Sequence, residues 1–392
     1  MASVSLINRV KHSNLLYSVY YHIGCFAVNV LKLFLKADDK LILFVSYGGK
    51  KYDDSPKDIY EAMLKDSRFD EYKKVWAFIN PNSFEIGPGK KIKIDTFEYY
   101  KTALKARVWV TNVGVTRALS FEGIHTLSVN SWHGTPIKRI GNDAIKTSTF
   151  VSKGKGGGID IQLAQGDYEV ERYSQAFNLP KSRVIKTGLP RNDSLVIGNN
   201  EDNILSLKKK IGLPLDKKII LYAPTYRDYE LENGYECIMK PPFDLNKWQE
   251  VLSGEYVLLI RAHIAVMKVL EVKENDFVRD FSKYPILNDI LLVTDILISD
   301  YSGILFDYSI LGRPMFCYTY DYEKYEKMRG MYFDVRKELS YAEYEDGMLE
   351  KIEKINSEDE INKAMAFRDK YVQLYGNASE RVLDLIYSRI SA

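Results

Sequence analysis

The sequence predicts an α/β protein made of two doubly wound halves. Three observations carry this expectation. The chain is 392 residues long, against roughly 100–200 residues for a single domain. Short apolar runs closed by turn residues alternate with charged, helix-favouring pieces. The alternation occurs twice, and a polar stretch, VIGNNEDNILSLKKKIGLPLDKK (196–218), separates the two series. Strands and helices alternating in this way imply a parallel sheet with helices on both faces.

Taken in order, the first element is the window Leu15 to Leu35, LLYSVYYHIGCFAVNVLKLFL. It has about the ~20 residues a membrane span needs, but His22, Asn29 and Lys32 interrupt it and argue against a span. At helical spacing Leu15, Val19, Tyr20, Ile23, Phe26, Val30 and Phe34 fall near one face, with Lys11, Ser18, His22, Asn29, Lys32 and Lys36 at polar positions. Two readings stay open: a helix lying in a membrane interface, with Lys11, Lys32, Lys36 and Lys40 towards anionic lipid, or a helix docked on its own protein. The start MASVSLINRVKHSNLL lacks the order of a cleavable signal peptide, so none is expected. Residues 1–36 are therefore set apart as an amphipathic, membrane-associating helix.

Residues 37–195 read as the first Rossmann-like domain. Its strands are KLILFVSYGG (40–49), KKVWAFIN (73–80), ARVWVTN (106–112) and GIHTLSVNSWHG (123–134), with helices at SPKDIYEAMLKD (55–66) and FEYYKTALK (97–105). A glycine run at 154–158 breaks the rhythm, which resumes and reaches RVIKTGLPRND (183–193). Residues 196–360 read as the second such domain, with strands IILYAP (219–224), YVLLIRAH (256–263), LLVTDILISD (291–300) and RPMFCYTY (313–320). Residues 361–392 read as C-terminal helices, interrupted at Gly376 and Asn377, that pack back towards the first domain.

Lys+Arg 55 against Asp+Glu 53 leaves a net charge of +2, which favours neither a basic nucleic-acid binder nor an acidic disordered chain. No nucleic-acid partner is expected. Cys25, Cys237 and Cys317 show no CxxC spacing, and any pairing leaves one over, so neither a disulfide framework nor a zinc module is predicted. A reducing, cytosol-facing location fits this usage. The 29 tyrosines are read as compositional bias.

Doubly wound sheets bind ligands outside the carboxyl ends of their strands, so the residues after each run are the candidates. In SVNSWHGTPIKRIG, His133 follows a strand and precedes Gly134, Thr135, Pro136, Lys138 and Arg139. An imidazole beside backbone donors and cations suits deprotonation of a hydroxyl near phosphate; a structural histidine at a turn is the alternative. In YVLLIRAH, Arg261 and His263 lie two apart and point to the same side of an extended chain, where they either grip a phosphate together or form a rim pair without a ligand. In SDYSG, Asp300, Tyr301, Ser302 and Gly303 open a helix whose free N–H groups attract phosphate, although Asp300 or Ser302 can equally serve as its cap. In TGLPRND and YAPTYRD, Arg191, Thr225 and Arg227 either present to an anion or hold their turns through local Arg–Asp hydrogen bonds. No GxxxxGK[ST] loop is present, nor a GxGxxG after the first strand.

In sequence order SWHGTPIKRIG, TGLPRND, YAPTYRD, RAH and SDYSGILFDYSILGRPMFCYTYDYEKYEKMRGMYFD resemble the signature of the CDP-glycerol glycerophosphotransferase family of teichoic-acid synthesis. The resemblance runs from about Ser46 to about Asp334. It implies a GT-B-like fold, two Rossmann-like domains with a cleft between them. It also implies transfer of glycerol phosphate from CDP-glycerol to a hydroxyl of an undecaprenyl-diphosphate-linked saccharide acceptor, releasing CMP, with the enzyme peripheral on the cytoplasmic face of the bacterial cell membrane.

By the same resemblance His133 and His263 are the catalytic pair. Arg261, Asp300, Ser302, Gly303, Thr225 and Arg227 fall on the donor side, in the CDP-binding domain. Gly134, Thr135, Lys138 and Arg191 fall on the acceptor and phosphate side. Many relatives read SDYSS where this chain has SDYSG, so Gly303 removes one possible hydroxyl contact. His133 is expected to take the acceptor proton, while Arg261, His263 and the helix end stabilise departing CMP with no cofactor or metal required. A primase or short-extension role is expected within the family. Alternatives are a CDP-ribitol-dependent transferase or polymerase, a nucleotide-sugar glycosyltransferase, and a non-catalytic binder of anionic polymer or lipid.

Overall fold

The computed structural model describes residues 14–145, 158–227, 229, 237–239, 241–262, 266–269 and 272–391. Lys11, most of the 154–158 glycine run, Asp228 and His263 lie outside the described residues.

Two parallel sheets organise the chain. The first has seven strands: β1 (Asp38–Val45), β2 (Lys73–Phe78), β3 (Lys90–Lys93), β4 (Ala106–Thr111), β5 (Leu127–Asn130), β6 (Ile161–Ala164) and β7 (Val184–Lys186). A two-stranded parallel pair joins β9 (Cys237–Met239) to β11 (Val266–Val269). The second large sheet contains β8 (Lys218–Tyr222), β10 (Tyr256–Ile260), β12 (Val278–Asp280), β13 (Ile296–Ser299), β14 (Met315–Tyr318) and β15 (Ser340–Ala342).

Their orders, β3-β2-β1-β4-β5-β6-β7 and β12-β10-β8-β13-β14-β15, reverse direction between β1 and β4 and between β8 and β13. These switch points open a crevice at the carboxyl ends of the strands.

The apolar runs form strands buried on both faces, as parallel sheets require. Along β1, Ile42 and Phe44 enter one core, while Leu41, Leu43 and Val45 enter the other. The period of two recurs in β8, where Ile219 and Leu221 face one side and Ile220 and Tyr222 the opposite side.

The helix Asn14–Leu33 docks on the first sheet through Cys25, Val28 and Leu31. Gly24 permits the approach, since a Cβ there would lie 2.7 Å from a Leu119 methyl. Cys25 Sγ accepts from Ser120 N–H at 3.1 Å. Elsewhere on this helix and just after it, Ile23 is 64%, Phe26 72%, Leu33 80% and Phe34 80% exposed. Among the described residues no helix is long and apolar enough to cross a membrane.

The polar stretch after residue 196 does not remain a linker. It continues the helix Asp193–Gly198, forms the helix Glu201–Lys210, and contributes Leu207 and Leu213 to the second core. The helix Ser357–Tyr371 packs on the second half through Ala364 and Phe367. After Gly376 and Asn377, at φ +70 and +52, the helix Ala378–Ile390 returns Val382, Leu383 and Ile386 to the first core. Asp193 caps its start by accepting from Ala378 N–H and Ser379 N–H at 2.8 and 2.7 Å.

Candidate active site

The carboxyl ends of the two sheets meet at the turn after β5. There Trp132 (φ +53) and Gly134 (φ +143) bend the chain sharply on either side of His133. Trp132 N–H donates to Asn130 Oδ1 at 2.7 Å, and the indole lies 4.1 Å, centroid to centroid, from the imidazole. A bulky residue at positive φ is strained, and such strain persists where the surrounding structure enforces it.

His133 Nδ1 lies 3.1 Å from the carbonyl oxygen of Asn112, the residue after β4. A carbonyl only accepts, so the neutral ring carries its proton on Nδ1 and leaves the Nε2 lone pair available. The residue is exposed, yet protein crowds the ring, and this desolvation draws the imidazole below its ordinary value of 6.5. Arg191 and Lys138 push the same way; the Asn112 carbonyl and Asp54 oppose them. The neutral, proton-accepting form therefore dominates at neutral pH.

Thr135 faces inward. Its hydroxyl donates to Glu169 Oε1 at 2.6 Å and accepts from Gln165 Nε2 at 2.7 Å. Burial pushes the Glu169 carboxyl up to about 7, although donors from Thr135, Gln165 N–H and Tyr173 work against it. Beyond the turn, the chain pairs with the second half. Lys138 forms an antiparallel bridge with Met331, Arg139 N–H donates to Gly330 O at 3.0 Å, and Tyr332 N–H donates to Ile137 O at 2.8 Å.

Arg191 sits between the halves. Its Nη2 holds both oxygens of Asp307 at 2.9 and 2.8 Å, and its Nη1 lies 3.5 Å from Asp54 Oδ2. Asp54, 6% exposed, also accepts from the Tyr47 hydroxyl at 2.7 Å and Asn112 Nδ2 at 3.1 Å. Burial alone would raise its carboxyl, but Arg191, Ser55 N–H and the Tyr47 hydroxyl keep it below the usual range.

In the second half, Thr225, Arg227 and Asp300 form one internal network. Asp300 Oδ1 accepts from Thr225 N–H at 2.8 Å, the Thr225 hydroxyl at 2.5 Å and Tyr301 N–H at 2.6 Å. Arg227 grips Asp321 at 2.8 and 2.9 Å and lies 2.9 Å from Asp300 Oδ2, a charge contact without hydrogen-bond geometry. Rings of Tyr301, Tyr320 and Tyr325 surround the guanidinium.

Ser302 Oγ accepts from Ile304 N–H at 3.3 Å, in the manner of a cap, at the start of the helix Ile304–Ser309. Gly303 abuts the turn carrying His133: a Cβ there would lie 2.9 Å from Thr135 O and 3.6 Å from Gly134 Cα. Arg261 differs from the other arginines. Its Nη1 donates to the carbonyls of Phe281 and Tyr284 at 3.0 and 2.8 Å, and among the described residues no carboxylate lies within ion-pair distance. Burial lowers the pKa of this guanidinium, with Asp53 the charge that opposes the shift.

The structure thus brings His133, Gly134, Thr135 and Arg191 together with Gly303. It gathers Thr225, Arg227 and Asp300 into a separate network, while among the described residues Arg261 has no carboxylate within ion-pair distance. Tyr47, Asp54, Asn112, Glu169, Asp307 and Asp321 complete these contacts and were not among the sequence-derived site residues. Asn112 carried a legible signal, since it directly follows β4, whereas Asp54 opens the helix Asp54–Met63 well beyond the end of β1. Among the described residues no cluster of His, Cys, Asp and Glu is arranged to hold a metal ion.

Residues 27–388 match the family described as CDP-glycerol:poly(glycerophosphate) glycerophosphotransferase. The chain is 34% identical over 370 residues to a teichoic acid poly(glycerol phosphate) polymerase of Staphylococcus epidermidis, covering 90% of this chain but 51% of that protein. It is 30% identical over 377 residues to a teichoic acid glycerol-phosphate transferase of Staphylococcus aureus, covering 91% of this chain and 95% of that one. Among solved structures, a variant of the wall teichoic acid polymerase TagF soaked with CDPG is similar, with TM-score 0.81, 31% identity, and 93% and 92% of the two chains covered. The two joined parallel sheets are thus a GT-B-like fold, and this chain belongs to the CDP-glycerol:poly(glycerophosphate) glycerophosphotransferase family.

Proposed function

We propose that this chain transfers glycerol phosphate from CDP-glycerol to a hydroxyl of an undecaprenyl-diphosphate-linked saccharide acceptor, in teichoic-acid or related cell-surface polymer synthesis, and releases CMP. The observation that carries the mechanism is the Nδ1 contact of His133 with the Asn112 carbonyl at 3.1 Å, which leaves Nε2 as the base. The acceptor hydroxyl gives its proton to Nε2 as its oxygen attacks the phosphorus bearing glycerol. The bond from that phosphorus to the CMP oxygen breaks, and the electron pair leaves with CMP.

CMP departs as an anion and needs charge stabilisation more than a proton. Arg261 fits that need, because among the described residues no carboxylate pairs with it and its Nη1 is held by two carbonyls. His263 joins it in this reading as the second family histidine. Arg191, Arg227, Thr225 and Asp300 serve by holding the cleft walls. Ser302, Gly303, Gly134 and Thr135 supply the close backbone approach of the donor half to the base, beside Lys138.

The acceptor's lipid is proposed to be met by the exposed face of the helix Asn14–Leu33, which docks by one edge and leaves Ile23, Phe26 and Leu33 open. In this reading the enzyme works peripherally on the cytoplasmic face of the membrane.

The test is CMP release by purified protein supplied with CDP-glycerol and a lipid-disaccharide acceptor, compared with CDP-ribitol and UDP-sugars as donors. His133→Ala is expected to lower kcat by about 10²–10⁴-fold, the usual contribution of a general base. Activity should rise with pH as His133 loses its proton, with the midpoint of the rise below the ordinary imidazole value of 6.5. Full activity in His133→Ala would exclude the base assignment, and product from CDP-ribitol alone would exclude the donor.

A further inference from the structure

The carbonyl that orients His133 belongs to a residue locked from several sides. Asn112 is fully buried; its Oδ1 accepts from Tyr47 N–H at 2.8 Å and its Nδ2 donates to Asp54 Oδ2 at 3.1 Å. Asp54, itself at φ +63, meets Arg191 Nη1 at 3.5 Å. Arg191 then crosses to the second half, where Asp307 receives Nη2 on both oxygens at 2.9 and 2.8 Å and Asn192 Nδ2 on Oδ1 at 2.9 Å. The second half also grips the Arg191 carbonyl through Asn288 Nδ2 at 2.6 Å. The guanidinium runs beside the catalytic turn, since a Cβ at Gly134 would lie 3.7 Å from Arg191 Nη2.

We propose that Asp307 is a positioning residue for the transfer reaction: through Arg191 and Asp54 it couples the seating of the donor half to the orientation and charge environment of His133. It touches no reacting atom. The groups acting on the imidazole are Asp54, which favours its charged form, and Arg191 and Lys138, which oppose it; the neutral Tyr47 ring lies 6.1 Å away. Asp307 neutralises Arg191, so Asp54 is left to stabilise the imidazolium formed when the acceptor proton arrives. With Asp307 removed, or the halves drawn apart, Arg191 spends its charge on Asp54 and the base is weakened.

This rests on His133 being the base. The test is the pH profile of kcat/KM for CMP release in Asp307→Asn, which removes the charge and keeps the shape, together with KM for CDP-glycerol and the melting temperature. The acid limb is expected to move to lower pH by about half a unit, the scale of one nearby charge seen through a cleft. The plateau kcat should fall roughly 10-fold, part of what a general base contributes, with KM for CDP-glycerol changed less than about 3-fold.

An unmoved limb with only a lower melting temperature would overturn the proposal and leave Asp307 a tether. Should Asp307→Asn fail to fold, the same profile is read on Arg191→Met: loss of the cation should move the limb to higher pH, and an unmoved limb overturns the proposal. Full activity in His133→Ala overturns the base reading and this inference with it. An inactive His133→Ala beside an unmoved limb in Asp307→Asn overturns this inference alone.

Discussion

Arg227→Met discriminates most sharply between a ligand contact and an internal strut. Arg227 is 6% exposed and bound to Asp321 and Asp300, whose side chains are 12% and 2% exposed, with Nη1 also donating to Thr225 O at 2.6 Å. Methionine fills much of the same space but leaves two carboxylates without their cation. Breaking a buried pair by deleting one partner costs about 3–5 kcal/mol, because the remaining charge stays desolvated. In a domain of about 150–250 residues each kcal/mol moves Tm by roughly 2–4 °C, so the second half should melt about 6–20 °C lower.

Circular-dichroism melts with and without CDP-glycerol provide the measurement. An unchanged Tm accompanied by a large rise in KM for CDP-glycerol would refute the reasoning and make Arg227 a donor contact.

Gly303→Ser places a Cβ 2.9 Å from the Thr135 carbonyl oxygen, a backbone atom that cannot rotate aside. The Ser302–Gly303 segment or the His133 turn must shift, and kcat should drop roughly 10-fold, since catalysis is sensitive to displacements of about 1 Å; wild-type kcat in that variant would show that the contact yields without consequence. Replacing Phe26, Leu33 and Phe34 together by serine removes three exposed apolar side chains, each contributing about 1.5–3 kcal/mol when fully buried, so co-sedimentation with anionic liposomes should fall at least about 10-fold. Melting should stay within about 2 °C, as expected for exposed positions. Equal sedimentation would exclude this face as the lipid contact.

Much of the fold was legible because parallel strands are covered on both sides and therefore announce themselves as apolar runs. KLILFV, KKVWAF, ARVWVT, IILY, YVLLI and ILIS became β1, β2, β4, β8, β10 and β13. The edge strands were missed for the same reason: β3 reads KKIK, β12 VRD and β15 SYA, each paired on one side and too polar to stand out. The stretch after residue 196 looked like a linker because its apolar residues are few. Its Leu207 and Leu213 nevertheless suffice to seat it on the second core.

The sequence by itself determined the two doubly wound halves, the position of His133 after a strand, and the motif order by which the family is known. These follow from local pattern, since strand period and turn residues act over a few positions. Only the tertiary structure decided what each charge does. The arginines of TGLPRND and YAPTYRD looked alike in the chain. Arg191 meets Asp307 across 116 residues, Arg227 meets Asp321 across 94, and Arg261 meets the carbonyls of Phe281 and Tyr284. Coulomb energy and desolvation depend on distance in space, so an ion pair closed by folding leaves no mark on the spacing of its residues in sequence.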